Sequence, residues 1–182
     1  MNIITPEATL SYPALFEPKE GMNGGEPKYS AVLVFPKGTD LTLLRKAAEE
    51  AGREKFGAKY SDLVKTGKLK SPFRDDVEGT TYPEGSIRIT ARDKTKPGIV
   101  SRYAGPDGKP KAITDPAEMY PGCKCRGSVR PFAYEVNGNK GVSFGLGNIQ
   151  KLGEGPRLDG RIAADREFEA YEPNVADDLI GE

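Results

Sequence analysis

The segment CKCRGSVRPFAYEV, residues 123–136, carries the side chains best suited to holding a charged polymer. Successive side chains of a strand point to opposite faces, so its even-numbered residues share one face. That face presents cations followed by aromatic rings, and cations pair with phosphates while rings stack on bases. It is therefore suited to a single-stranded nucleic acid. The side chains concerned are Lys124, Arg126, Arg130, Phe132 and Tyr134.

A second segment, SIRITARDK at residues 86–94, repeats this alternation of an apolar face with a basic one. A loop rich in Lys, Gly and Pro follows it. A single basic strand would be interpreted as a solvated edge, since edge strands often carry charge. Two such strands with a basic loop favour a binding face instead. The additional candidate contacts are Arg88, Arg92, Lys94, Arg102 and Tyr103.

Four aromatic rings have two interpretations at this point. Pro131 can seat a β-bulge, and a bulge would turn Phe132 and Tyr134 from the binding face into the core. Phe73 and Tyr82 flank an irregular basic loop. They are either loop-borne stacking rings that bind DNA or plugs beneath the loop.

The composition excludes catalytic sites that depend on histidine and makes a zinc site unfavourable. The sequence has no histidine, so it offers no imidazole base and no histidine ligand for zinc. Cys123 and Cys125 alone cannot complete a tetrahedral zinc site, and we interpret them as small buried strand residues. We therefore predict a non-enzyme with no catalytic residue, no metal and no cofactor.

Two other function classes remain as alternatives. A metal-dependent nuclease or other phosphoryl-transfer enzyme would need clustered carboxylates. The tight acidic group before the C-terminal end is Asp75, Asp76 and Glu78, within a predicted loop. The second alternative is a structural protein whose barrel binds another protein.

The 22 glycines and 15 prolines indicate many turns and short strands. The patterns predict about five long strands, the first of them bent at Pro13 with Tyr12 on the side of Leu10 and Ala14. One amphipathic helix is predicted within residues 39–57. The prediction is a mainly β fold, a small Greek-key barrel of the OB type, with an antiparallel sandwich as the alternative. The predicted core includes Ile87, Ile89, Val129, Phe144 and Leu146.

The net charge of zero conceals an uneven distribution. Residues 163–182 hold seven acids and one base, a formal charge of about −6, so residues 1–162 carry about +6. We predict an OB-fold nucleic-acid-binding domain at 1–162 and a disordered acidic tail at 163–182. The sequence has no apolar run near the length of a membrane span and no signal-peptide pattern. A cytoplasmic protein without membrane contact is expected.

The run CRGSVRPFAYEVNGNKGVSFGLGNIQKLGEGPRLDGR, residues 125–161, resembles the OB-fold single-stranded-DNA-binding proteins of tailed phages. The stretches TPEATLSYPALFEP and KYSAVLVFPK resemble them more loosely, so the similarity covers most of the chain. The resemblance implies coating of single-stranded DNA during phage replication or recombination, in the host cytoplasm and without catalysis. It also implies an acidic tail that recruits replication or recombination proteins and competes with DNA. This sequence ends in DDLIGE, without the terminal aromatic residue of the best-known tails.

Overall fold

The computed structural model describes residues 1–21, 24–162 and 164–171. Most of the predicted acidic tail therefore lies outside the described residues. Within the described residues no helix has both the length and the apolar character to cross a membrane. The strands are β1 (Ile3–Ile4), β2 (Ala8–Lys19), β3 (Lys28–Phe35), β4 (Leu69–Lys70), β5 (Ile87–Asp93), β6 (Ile99–Ala104), β7 (Pro110–Ala112), β8 (Lys124–Val136) and β9 (Asn139–Gly153); the helices are α1 (Thr42–Phe56), α2 (Tyr60–Lys65) and the single turn α3 (Ala164–Glu167), with 3-10 turns at Gly57–Lys59 and Pro116–Glu118.

Five long strands close into a ring in the order β8-β2-β3-β5-β9, because β9 pairs with β8 again. Within this ring β5 and β9 run parallel and every other pair is antiparallel. The predicted mainly β, OB-type architecture with one long amphipathic helix is confirmed. The sandwich alternative is wrong, since one sheet closes on itself.

Short strands extend the sheet outside the ring. β1 adds to β8, while β4 and β6 add in parallel to β9. β6 and β7 then form an antiparallel hairpin that stands beside the ring as a wing. The hairpin between β8 and β9 turns at Asn137 and Gly138, both with positive φ, which suits the twist of a two-residue turn.

The inner face of the ring supplies the core. Four predicted core residues, Ile89, Val129, Phe144 and Leu146, are at most 2% exposed, and Ile87 packs against them partly buried. α1 packs against β8 and β9, and Leu44 and Ala48 on its apolar face are buried. Both cysteines are buried and free, and burial raises both thiol pKa values, that of Cys123 to about 11. They are structural core residues, as predicted.

Strand β2 bends at Pro13 as predicted, but the predicted orientation of Tyr12 is wrong. The β2–β3 register shifts between Ser11 and Ala14, and Tyr12 takes a φ of +42°. A bulge reverses the alternation of side chains, so Tyr12 points outward, 77% exposed, while Ala14 and Leu15 are buried.

Residues 154–159 fold back against the segment before β8. The Tyr120 hydroxyl donates to Glu154 Oε2 at 2.5 Å and accepts from the Gly155 amide at 3.0 Å. The Leu158 amide donates to the Pro121 carbonyl at 2.9 Å. This contact is tight because a Cβ at Gly155 would lie 2.3 Å from the Gly122 carbonyl oxygen. Residues 154–159 therefore act as a latch that secures the chain leaving the ring.

The latch generates a stability prediction. Gly155→Ala forces a methyl group against the Gly122 backbone, and such overpacking lowers the free energy of unfolding by about 1–3 kcal/mol. The melting temperature should fall by several degrees, at about 2–4 °C per kcal/mol for a chain of this size. Gly153→Ala is the matched control, since its Cβ would meet nothing within 4 Å. Calorimetry of both variants checks this, and equal melting temperatures would contradict the tight contact.

Candidate nucleic-acid interface

The outer face of the ring carries the aromatic rings at the end of β8. The pairing of β8 with β9 continues without a register shift from Val129 to Val136, so Pro131 seats no bulge. Phe132 is consequently 44% exposed and Tyr134 half-buried on the same face. Their ring centroids lie 6.5 Å apart, with a tilt of 54°. Two adjacent rings are thus open to a ligand.

Glycines of β9 allow the β8 side chains to lie flat on the sheet. Arg130 is paired across the strands with Gly145, and Tyr134 with Gly141. A Cβ at Gly145 would lie 2.9 Å from Arg130 Cζ, and one at Gly141 would lie 2.5 Å from Tyr134 Oη. Glycine at these alternate positions therefore leaves room for an arginine and a tyrosine to spread over β9.

A basic cleft lies on this outer face, with a volume of about 380 Å³. β5 contributes Arg88 and Arg92, and β8 contributes Tyr134. The pairing of β4 with β9 brings Lys70 to the cleft. A backbone bridge between Arg74 and Arg88 brings Arg74. Among the described residues that line it, none is acidic; the basic cleft is lined by Lys70, Ser71, Pro72, Arg74, Arg88, Thr90, Arg92, Tyr134, Val142 and Ser143.

Sequence reasoning missed Lys70 and Arg74. Both belong to a long basic stretch after the helices, in which any lysine or arginine could equally be solvated surface. The one sequence signal was that stretch itself. Their place in the cleft depends on β4 pairing with β9 and on the Arg74–Arg88 bridge, which are non-local contacts.

Carboxylates neutralise several of the predicted cations. Arg88 pairs with Asp76 at 3.0 Å, and this contact lowers the pKa of Asp76. Arg130 pairs with Asp93, whose pKa is lowered by the Thr95 amide and by that guanidinium.

Lys94 pairs with Glu26 at 2.8 Å, and this hydrogen bond raises the pKa of Lys94. Arg92 differs from these cations, because it is exposed and makes no ion pair within the described part of the chain. Arg92 can therefore meet a phosphate without giving up a carboxylate.

A second basic region lies away from the cleft, towards the wing. Arg126 Nε donates to Gln150 Oε1 at 2.8 Å, on the strand that pairs with β6. Arg102 donates to the Leu152 carbonyl at 3.0 Å and lies 5.7 Å from the ring centroid of Tyr103, which is 71% exposed. The structure thus places Arg102, Tyr103 and Arg126 towards the wing, apart from the cleft residues Arg88, Arg92 and Tyr134.

Lys124 lies outside both groups. Its Nζ donates to Thr9 Oγ1 at 2.8 Å, across the seam where β8 meets β2. This hydrogen bond joins the two strands that close the ring. The position gives Lys124 a structural contact, and its predicted DNA contact stays a prediction.

Phe73 and Tyr82 take positions that favour the second of their two interpretations. Phe73 packs edge-on against Phe144, with ring centroids 5.8 Å apart. Arg45 Cζ lies over the Phe73 ring, 4.6 Å from its centroid. The Tyr82 hydroxyl lies 2.7 Å from Ser11 Oγ, and Arg88 faces its ring at 5.2 Å. Both rings anchor the loop between β4 and β5.

Three comparisons place this chain among known proteins. The family model described as Enterobacter phage Enc34, ssDNA-binding protein, matches residues 1–180. Putative protein p50 of Acyrthosiphon pisum secondary endosymbiont phage 1 is 30% identical over 193 residues, covering 99% of each chain.

Solved structures agree with the family match. The single-stranded DNA-binding protein from bacteriophage Enc34, in complex with ssDNA, is 27% identical with a TM-score of 0.63, over 86% of this chain and 89% of the other. The gp2.5 protein of bacteriophage T7, a single-stranded DNA-binding protein, is 12% identical with a TM-score of 0.59, over 90% and 98%. The T7 likeness shows the fold alone. Because the family model spans nearly all of its length, the chain belongs to the Enc34 family of phage ssDNA-binding proteins.

Proposed function

We propose that this protein binds single-stranded DNA without sequence preference, through the basic cleft and the rings of Phe132 and Tyr134. The observation that carries the proposal is the cleft itself, where cations from three separate segments converge beside the ring of Tyr134. No acidic side chain is among the described residues that line it. A family relative whose structure was determined in complex with ssDNA supports it.

In this proposal, the basic side chains contact phosphates and the aromatic rings contact bases. Arg92, Lys70 and Arg74 neutralise phosphates, and release of the counterions held by the DNA drives binding. Phe132 and Tyr134 stack on bases, and every base has a π-face, so stacking tolerates any sequence. Duplex DNA keeps its bases inside the helix and loses the stacking contribution, which makes the single strand the preferred ligand.

The biological role we propose is non-catalytic coating of single-stranded DNA in phage DNA replication or recombination, in the cytoplasm of the host cell. No described residue that lines the cleft is acidic, so the cleft lacks the clustered carboxylates that a metal-dependent nuclease needs. Incubating labelled single-stranded DNA with the protein and Mg²⁺ separates binding from hydrolysis. Cleaved DNA would favour the nuclease alternative, and intact retained DNA would favour coating.

The charge division of the sequence supports a two-part chain, with residues 1–162 as the DNA-binding domain and residues 163–182 as an acidic tail. The body carries about +6 and the tail about −6. A tethered segment of opposite charge has an effective concentration in the mM range near a basic surface. We propose that the tail visits the cleft in the absence of DNA and recruits replication or recombination proteins once DNA displaces it.

The first binding prediction concerns the cations. Replacing Lys70, Arg74 and Arg92 together with glutamine removes three phosphate contacts. The slope of log affinity against log salt should therefore flatten by about 2, at ~0.7 per contact on single strands. Fluorescence anisotropy with a labelled oligonucleotide at several salt concentrations measures this slope.

The matched control for this charge change is the combined replacement of Lys46, Lys55 and Lys59 with glutamine. These lysines are exposed on α1 and the following turn, and none of them lines the cleft. The control should keep the wild-type slope. An equal loss in both triple variants would mean that net charge, and not the cleft, holds the DNA.

The second binding prediction concerns the rings. Phe132→Ala and Tyr134→Ala should each weaken binding by roughly 5- to 150-fold, the equivalent of about 1–3 kcal/mol of stacking, with little change in salt slope. Leu43→Ala, which removes an exposed apolar side chain from α1, is the control. Anisotropy titrations at fixed salt compare the three variants. Unchanged affinity in both ring variants would remove stacking from the mechanism.

The third binding prediction concerns the tail. Truncation after Arg161 should tighten binding of single-stranded DNA at low salt, because it removes a competing polyanion. The gain should shrink as salt rises, since exposed charge contacts are screened. Titrations of both proteins at low and moderate salt test this. Equal affinities at low salt would show that the tail does not occupy the cleft.

A further inference from the structure

Resting on the proposed function, we propose that Tyr12 is a second stacking platform, which extends the path of single-stranded DNA beyond the basic cleft by at least one base. Tyr12 lies at the bulge of β2, at one side of a hollow of about 450 Å³. The strap, residues 74–82 of the loop before β5, contributes Arg74 to the basic cleft and residues 79–82 to the hollow. Arg88 lines both.

The conformation of Tyr12 points to a use for its ring. Its φ of +42° lies in the left-handed region, which is unfavourable for a bulky side chain. The ring is 77% exposed, so burial of the ring does not compensate for this conformation. Strained residues held by the surrounding fold concentrate at functional sites. Here the register shift and Pro13 hold the ring outward, beside the hollow.

The hollow offers the contacts that a nucleotide needs. Tyr12 presents a ring face for a base, and Thr81 supplies a hydroxyl group on the strap. The Thr80 hydroxyl donates instead to the Val77 carbonyl at 2.7 Å and shapes the strap. Arg88, paired with Asp76 of the strap at 3.0 Å, is the basic residue in the lining, and a phosphate would take the place of that carboxylate. The volume of the hollow, about 450 Å³, is within the range of about 300–1,000 Å³ that is usual for ligand pockets. A base on Tyr12 would thus keep its phosphate on the side of Arg88, towards the cleft.

A hydrogen bond joins the strap to strand β2. The Tyr82 hydroxyl hydrogen-bonds to Ser11 Oγ at 2.7 Å, next to Tyr12 in the chain. One acid, Asp159, also borders the hollow. Arg157 pairs with this carboxylate at 2.8 Å, so its charge is balanced within the latch. The hollow is therefore compatible with an anionic strand.

A direct test uses the absence of tryptophan from the sequence. Tyr12→Trp introduces a single indole at the proposed platform, and stacking with a base quenches indole fluorescence. Saturating single-stranded DNA should quench this variant strongly. Leu43→Trp, on the exposed face of α1, should keep its fluorescence. Quenching of neither indole under conditions where anisotropy shows saturation would overturn the inference.

Affinity against length gives an independent test. Tyr12→Asn removes the ring yet tolerates the left-handed backbone, and Tyr12→Phe keeps the ring. With oligonucleotides of about 12 nucleotides Tyr12→Asn should bind at least about fivefold more weakly than wild type, whereas at about 4 nucleotides the two should match. Tyr12→Phe should resemble wild type at both lengths.

The outcomes separate this inference from the proposed function. A wild-type protein that binds neither oligonucleotide contradicts the proposed function. A wild-type protein that binds both, with Tyr12→Asn unchanged at both lengths, overturns the platform alone. Circular dichroism of Tyr12→Asn establishes that it is folded, and the Tyr12→Trp measurement decides the question if it is not.

Discussion

The closure of β8 onto both β2 and β9 is the constraint on which the rest of the structure depends. It turns one sheet into a ring, so each ring strand has an inner face in the core and an outer face towards solvent. Because strand side chains alternate, fixing the register of β8 fixes which residues are buried and which face a ligand. Cys125 and Val129 point inward in this register, and Arg130 and Phe132 point outward.

The outer face depends on glycines, which have no side chain, as well as on its basic and aromatic residues. Glycines of β9 let Arg130 and Tyr134 lie across the sheet, where larger residues would push them away. The charge of Arg130 and the ring of Tyr134 are thereby held close to the backbone of β9. The same acids that hold Arg88 and Arg130 before binding reduce repulsion among the cations. In the proposed binding mode, a phosphate that replaced such an acid would gain only the difference between two ion pairs, so binding through Arg88 and Arg130 would be readily reversible.

The loop between β4 and β5 connects the core with the binding surface. Phe73 is its inner anchor, against Phe144, and Tyr82 is its outer anchor, against Ser11. Between these anchors the loop brings Arg74 to one site and Thr80 to another. A loop fixed at both ends can present side chains in defined positions without being part of the sheet.

The sequence by itself determined the features that depend on local periodicity. The alternation in β5 and β8, the helix ended by Gly57 and the Asn137–Gly138 turn were all predictable, because each depends on near neighbours in the chain. Tertiary structure decided the outward turn of Tyr12, the absence of a bulge at Pro131 and the arrival of Lys70 and Arg74 at the cleft. These depend on the register between strands distant in sequence, and a one-residue shift there reverses the face that a side chain occupies. Local patterns do not show which distant segment of the chain pairs with a strand or in which register, so the composition of the site followed only from the folded ring.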